Sequence, residues 1–353
     1  MDDDLIKYGS YHPDFSEEIK YFEKGKIYSI QIESNQSCDQ ECIYCYASSE
    51  DKSLRELPSE DIINILNSAA QINVKAIDWL GGDPLLRKDW YELMKLAIKK
   101  GLKNNIWTSG IPLKEIDIAK KAVEVTKDGF ISVHLDTLDE KIYKKLHPGN
   151  PTSKISAILK GVDNVQKLGK NPNHMINCIT FTKPLTNDVE KTIRYFFEQK
   201  GMRTCLTQMC TEGLAKDKQD LIPNISEIQK ACKVRDTINY PDSKLSMGTM
   251  DVNKYYCGGM ICVTNEGDVT PCSVIRMGFG NIYESPLEKI IEENKNELLF
   301  LQLRAHEKMP GNCRSCENNS ICWGCRAIAY SELKDIFGID TKCYKQFNKD
   351  SRI

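Results

Sequence analysis

The sequence has no apolar run approaching the roughly 18–20 residues that span a bilayer, which argues against a membrane protein. A secretion signal is not expected either. The start, Met1-Asp2-Asp3-Asp4, is acidic where such a signal is basic and then apolar. Neither sign of charge is in excess: 48 Lys+Arg stand against 50 Asp+Glu, a formal charge of −2. Nucleic acid and anionic membrane are therefore not expected as main partners. No internal repeat or low-complexity stretch occurs, and 41% hydrophobic with 28% charged residues excludes a disordered chain. A length of 353 residues suits two domains, or one large barrel with an appendage.

Cysteine is what the chain has in quantity, with 15 residues. A secreted disulfide scaffold is short, follows a signal peptide and lacks a core of its own. This chain meets none of those conditions, so metal ligation in a reducing cytoplasm is the expectation. The thiols are clustered. Cys38, Cys42 and Cys45 share one short loop, Cys178, Cys205, Cys210 and Cys232 are scattered, and eight fall from Cys257 to Cys343.

Between the clusters the pattern alternates. Ile27–Ser34, Ala76–Leu80, Asn105–Thr108, Phe130–Leu135, Met175–Phe181 and Thr204–Met209 read as strands. Helical stretches are expected at Ser59–Ile72, capped by Ser59, and at Asp89–Lys100, stopped by Gly101. Further helices are expected at Leu113–Val125, Ser153–Leu168, Asp188–Gln199 and Ser226–Thr237. Tyr195-Phe196-Phe197 reads as helix core. Six strands alternating with helices predict an α/β fold, a partial (β/α)6 barrel of TIM type over residues 27–240. Residues 1–26 form an N-terminal extension, and a boundary is expected at the turn-forming Tyr240-Pro241-Asp242-Ser243. Residues 241–353 make a small cysteine-rich domain with a hairpin, Ile261–Cys272, turning at Asn265–Asp268. Chemistry in such barrels sits at the C-terminal ends of the strands.

Cys38-x3-Cys42-x2-Cys45 follows the first strand. Three thiolates on one loop can hold three corners of an iron–sulfur cubane, leaving the fourth iron for substrate. A closed zinc site would need a fourth side chain. The spacing, with Tyr44 before the last cysteine, resembles the radical S-adenosylmethionine (SAM) superfamily. That resemblance implies a [4Fe–4S] cluster on Cys38, Cys42 and Cys45 that binds SAM and cleaves it reductively to a 5′-deoxyadenosyl radical. Other landmarks follow over roughly residues 27–210. Leu80-Gly81-Gly82-Asp83-Pro84 resembles the family's GGEP element, with Asp83 in place of Glu; glycine there lets backbone approach a ligand. Thr108-Ser109-Gly110 resembles its TNG-like element, and Ser132-Val133-His134-Leu135-Asp136 its S-x-D element. The resemblance implies that Tyr44, Gly81, Gly82, Asp83, Thr108, Ser109, His134 and Asp136 bind SAM.

The last quarter reads Cys257-x9-Gly267-x4-Cys272, then Cys313-x2-Cys316-x5-Cys322-x2-Cys325, then Cys343. It resembles the SPASM extension of radical SAM enzymes, one residue short between Cys322 and Cys325. The family pattern implies one auxiliary [4Fe–4S] cluster on Cys257, Cys262, Cys272 and Cys325, and a second on Cys313, Cys316, Cys322 and Cys343, for three clusters in all. Cys313, Cys316, Cys322 and Cys325 could instead form a zinc knuckle. Of the remaining thiols, Cys178 and Cys205 are expected in strand core and Cys232 in helix packing; Cys210 is expected in core or rim packing.

Such an extension points most often to peptide or protein substrates, oxidised or crosslinked with an electron donor of flavodoxin or ferredoxin type. The same chemistry on a sugar, nucleoside or cofactor and porphyrin precursor is the alternative. A non-enzymatic iron–sulfur or zinc-binding module is a third reading, which leaves Gly81–Pro84 and Asp136 without a role. Ser273 stands where sulfatase maturases of the family carry Asp, and 26 residues before the first strand are too few for a leader-binding winged helix.

Overall fold

The computed structural model describes residues 13–49, 55–243, 247–249, 251 and 253–346. Strands β1 (Ser29–Glu33) and β2 (Ala76–Leu80) are apolar or small at most positions and buried along their whole length. That is the pattern of parallel strands covered on both faces. With β3 (Lys103–Trp107), β4 (Ile131–His134), β5 (Met175–Phe181) and β6 (Arg203–Gln208) they form a parallel sheet in sequential order. Each strand lies within two residues of its expected bounds. Ile30, Ile32, Ile77 and Ile106 are solvent-inaccessible in its core, each worth about 1.5–3 kcal/mol of burial.

Helices α1 (Phe15–Glu23), α2 (Ser59–Gln71), α3 (Trp90–Lys99) and α4 (Ile116–Val125) precede or separate the first four strands. Helices α5 (Glu140–Leu146) and α6 (Pro151–Lys167) then lead to β5, α7 (Val189–Arg194) leads to β6, and α8 (Ile225–Asn239) follows it. Two short helices, α1 and α5, were not anticipated. Ser59 is not the cap of α2: extended Pro58 takes that place, and the Ser59 hydroxyl donates to the Asp89 carboxylate. Tyr195–Gln199 continues α7 as a π turn, which aims Phe196 into the core and leaves Phe197 exposed.

The expected hairpin is β7 (Met260–Val263), preceded by the short α9 (Lys254–Cys257), and β8 (Val269–Thr270), paired antiparallel. β7 also pairs parallel with β1, from Ser29 opposite Met260 to Ile32 opposite Val263. The cysteine-rich hairpin thus extends the barrel sheet to eight strands, in the order β6-β5-β4-β3-β2-β1-β7-β8. Beyond it lie α10 (Leu287–Glu293), α11 (Lys295–Leu298), α12 (Arg326–Leu333) and several 3-10 turns. Among the described residues, no helix is long and apolar enough to cross a membrane.

Candidate active site and cluster-binding centres

The chain leaving β1 turns immediately into the loop of Cys38, Cys42 and Cys45. The Cys45 amide donates to Cys42 O at 3.1 Å, closing the turn between the last two thiols. Ile43 N donates to Leu146 O at 3.0 Å, which ties the loop to the end of α5. The side chain of buried Gln40 donates to His134 O at 2.9 Å and so ties it to β4.

Gly81 and Gly82 lie against the backbone that leads into this loop. A Cβ on Gly81 would sit 2.3 Å from Asn35 O, and one on Gly82 would sit 2.1 Å from Ser37 O. The amides of Gly82 and Asp83 donate to those same carbonyls at 2.8 and 2.7 Å. The glycines therefore permit close approach between two protein segments, in addition to lining the cavity below. Asp83 stands behind the wall, fully buried. Its carboxylate accepts from Thr108 Oγ1 at 2.7 Å, Ser109 N at 2.9 Å and Ser109 Oγ at 2.7 Å. Here Asp83 fixes the loop after β3.

Asp136 is likewise fully buried. It accepts from the Tyr44 hydroxyl and from Thr180 N at 2.9 Å, and it lies 3.0 Å from His147 Nε2. The nearby His134 and His147 imidazoles outweigh the effect of burial and hold its carboxyl well below the usual range. The Cys42 sulfur and ring nitrogens of His134 and His147 lie within 4.8 Å of one another. Burial works against a Cys42 thiolate, but the two imidazoles prevail and lower its pKa to about 6. Cys38 and Cys45 go the other way, raised first by burial and then by the Cys42 charge. His147 was missed in the sequence because it follows a short, lysine-rich helix with no motif around it.

The later cysteines fall into two groups. Cys313, Cys316, Cys322 and Cys343 are mutual electrostatic neighbours. Burial pushes the Cys322 thiol up to about 12, and Cys313 and Cys316 reinforce it. Cys325 leaves that group to join Cys257 and Cys272, an arrangement unlike the four-thiol knuckle of consecutive cysteines. Gly324 makes the short spacing workable: its φ of +73° reverses the chain, and the Cys325 amide then donates to Asp340 at 2.8 Å. Cys262 does not join Cys257, Cys272 and Cys325 at the cavity wall.

A single cavity of about 300 Å³ connects these features at the C-terminal end of the barrel. Cys38, Cys42, Cys45, Tyr44, Gly81, Gly82, Thr108, Ser109 and His134 line it together with Cys257, Cys272 and Cys325. Cys178, expected in the core, reaches this wall, in register with His134 on β4 and with fully buried Cys205 on β6. Cys210 reaches it also. Cys232 packs in the core against α8's neighbours. The donor sets are thiols, held at the ends of loops and short elements; this suits thiolate-held iron–sulfur clusters. A cationic group bound there reverses the upward push of burial on the thiols.

Comparison with known proteins agrees with this layout. The radical SAM superfamily model matches residues 32–196, and the SPASM iron–sulfur cluster-binding domain matches residues 257–317. An AdoMet-dependent heme synthase of Methanosarcina barkeri is 24% identical over 343 residues, covering 89% of this chain and 95% of the relative. A PqqA peptide cyclase of Granulibacter bethesdensis is 24% identical over 333 residues, covering 89% and 86%. The solved structure of anSMEcpe with bound AdoMet and Kp18Cys peptide shares the fold, with a TM-score of 0.66 at 18% identity, covering 90% of this chain and 95% of that one. The chain belongs to the radical SAM superfamily and carries a SPASM iron–sulfur cluster-binding domain after its radical SAM domain.

Proposed function

We propose that this radical SAM/SPASM enzyme abstracts a hydrogen atom from a peptide or protein side chain. Three [4Fe–4S] clusters would serve it, one on Cys38, Cys42 and Cys45, and two on the thiols of residues 241–353. The single observation carrying the reading is the shared cavity, whose walls hold the Cys38–Cys45 loop and the Cys257, Cys272, Cys325 group together. Bound there, the cluster and SAM supply a 5′-deoxyadenosyl radical. The chain's own residues do the positioning. Gln40 and Leu146 O fix the thiol loop, Asp83 holds Thr108 and Ser109 at the rim, and buried Asp136 sets Tyr44 and His147 beside Cys42. An iron–sulfur cluster held by the neighbouring Cys257, Cys272 and Cys325 group would take the electron that an oxidised substrate gives up. A flavodoxin- or ferredoxin-type protein would deliver the starting electron.

The peptide reading is supported by the PqqA peptide cyclase relative and by the peptide held in the anSMEcpe structure. A second reading, the same chemistry on a small molecule such as a porphyrin precursor, is supported by the heme synthase relative, at equal identity over a similar span. Anaerobic turnover with SAM and dithionite tests both. Release of 5′-deoxyadenosine establishes radical formation, and mass spectrometry of candidate peptides then reads a loss of two hydrogens or a crosslink. No 5′-deoxyadenosine would refute the activity, while its release with modification of a porphyrin precursor alone would overturn the peptide assignment.

A further inference from the structure

The auxiliary site beside the cavity has three thiols from the expected set, Cys257, Cys272 and Cys325, and the family pattern implied Cys262 as the fourth. Cys262 is poorly placed for it. It is completely buried on a strand paired on both sides, opposite Gln31 of β1 and Thr270 of β8. Pairing on both edges holds its side chain on the face of its partner Gln31, whose longer side chain lines the cavity while the thiol does not reach it. Its thiol contacts the Thr270 hydroxyl and faces the Glu33–Arg276 ion pair, with Cys272 its one sulfur neighbour among the expected ligands, and it is absent from the cavity wall. A thiolate there would sit beside a carboxylate whose guanidinium partner is already engaged by two hydrogen bonds, at 2.9 and 2.8 Å.

Cys210 is better placed. It lies two residues past the end of β6, with its sulfur 3.8 Å from Gln208 O, where no strand pairing constrains the side chain. It is 5% exposed and forms part of the same cavity wall as Cys257, Cys272 and Cys325. Its thiol is in hydrogen-bond contact with that of Cys325, and Cys272 is its next sulfur neighbour. The two groups also come from opposite ends of the sheet, since β6 is one edge and β7-β8 the other.

We propose that Cys210, and not Cys262, completes the four-thiolate set of the auxiliary iron–sulfur site with Cys257, Cys272 and Cys325. A cluster so held also staples the last barrel strand to the cysteine-rich hairpin across the mouth of the cavity. The inference rests on the reading of this region as a cluster-binding domain.

The experiment removes the first site by replacing Cys38, Cys42 and Cys45 with Ala, then compares C210A, C210S and C262A in that background after anaerobic reconstitution with ⁵⁷Fe. The parent must hold about eight irons as two four-iron clusters; fewer would overturn the underlying reading, not the choice of ligand. The expected result is that C262A keeps both clusters with unchanged Mössbauer and EPR spectra. C210A loses a cluster or converts one to a three-iron form, and C210S keeps four irons with an altered spectrum at one iron. If C210A does not fold, the C210S spectrum decides. Unchanged spectra in both Cys210 variants, or loss of a cluster in C262A alone, would overturn the proposal.

Discussion

The Asp136 carboxylate and the His147 imidazole meet at 3.0 Å with neither exposed to solvent. The same carboxylate accepts from Tyr44, next to Cys45, and lies 3.4 Å from His134, so one buried charge organises the wall behind Cys42. Removing one partner of a buried pair costs about 3–5 kcal/mol, because the other is left uncompensated. Asp136→Asn is expected to lower the melting temperature of the reconstituted protein by at least about 5 °C and to reduce 5′-deoxyadenosine formation. Anaerobic calorimetry checks the first effect; a variant melting with the parent would show that the pair carries no net stability.

Gly82 passes the Ser37 carbonyl so closely that any Cβ strikes backbone at both Ser37 O, 2.1 Å away, and Ser37 C, 2.5 Å away. Backbone cannot swing aside as a long side chain can, and Cys38 is the next residue. Gly82→Ala is therefore expected to shift the thiol loop. A misplacement of about 1 Å near reacting groups costs on the order of 100-fold in rate. Single-turnover 5′-deoxyadenosine yields would read this directly, with the auxiliary clusters' EPR signals unchanged as the control.

Much of this was legible in the sequence because it is written locally. The six barrel strands are short runs set off by turns and helical stretches, most clearly the apolar β2 and β5, and the Cys38–Cys45 loop and Gly81–Gly82 follow their strands closely. What escaped depends on contacts far apart in the chain. Nothing local in Met260–Val263 says that it pairs with Ser29–Ile32, some 230 residues earlier. The same blindness hid that Cys262, grouped with Cys257 by the family pattern, is seated between two paired strands and short of the cavity wall. The resemblance named Asp83 and Asp136 for their motifs at strand ends, but not the hydrogen bonds each makes inside the protein. Burial places both behind the wall, where they hold the residues that line it. Cys178 was taken for core, since periodicity cannot tell the inside of a packed barrel from the wall of a cavity.

Lys170 provides a pH-dependent test away from the cavity. Its buried ammonium donates to Thr126 O and to Gly129 O, the latter at 2.6 Å, and burial lowers its pKa to about 8. Because the folded value lies below that of the unfolded chain, roughly 10.4, the unfolded chain binds more protons between them. Stability from this group is thus withheld while it is charged and gained as pH rises from about 8 to about 10.4. Competitive acetylation with peptide mapping should show Lys170 titrating near pH 8, about two units below exposed lysines. A midpoint above about 10 for Lys170 would contradict the burial argument.

Removal of iron should be felt unevenly. From Leu301 to Gln346 the only α-helix is α12, and the rest consists of 3-10 turns and loops. Cys313 accepts from Gln346 at 3.0 Å and Cys322 from Gly324 N at 3.2 Å, so thiols serve as anchors for backbone that has few ladders of its own. Such segments draw much of their folding free energy from the metal they hold. The barrel strands, in contrast, share a sheet and an apolar core that includes Ile30, Ile77 and Val133. Chelation under anaerobic, reducing conditions should therefore speed amide exchange across residues 306–346 by at least about 100-fold, while amides in β2–β5 keep their protection. Uniform loss of protection over both regions would mean that the sheet, too, depends on the clusters, through the β1–β7 pairing that joins them.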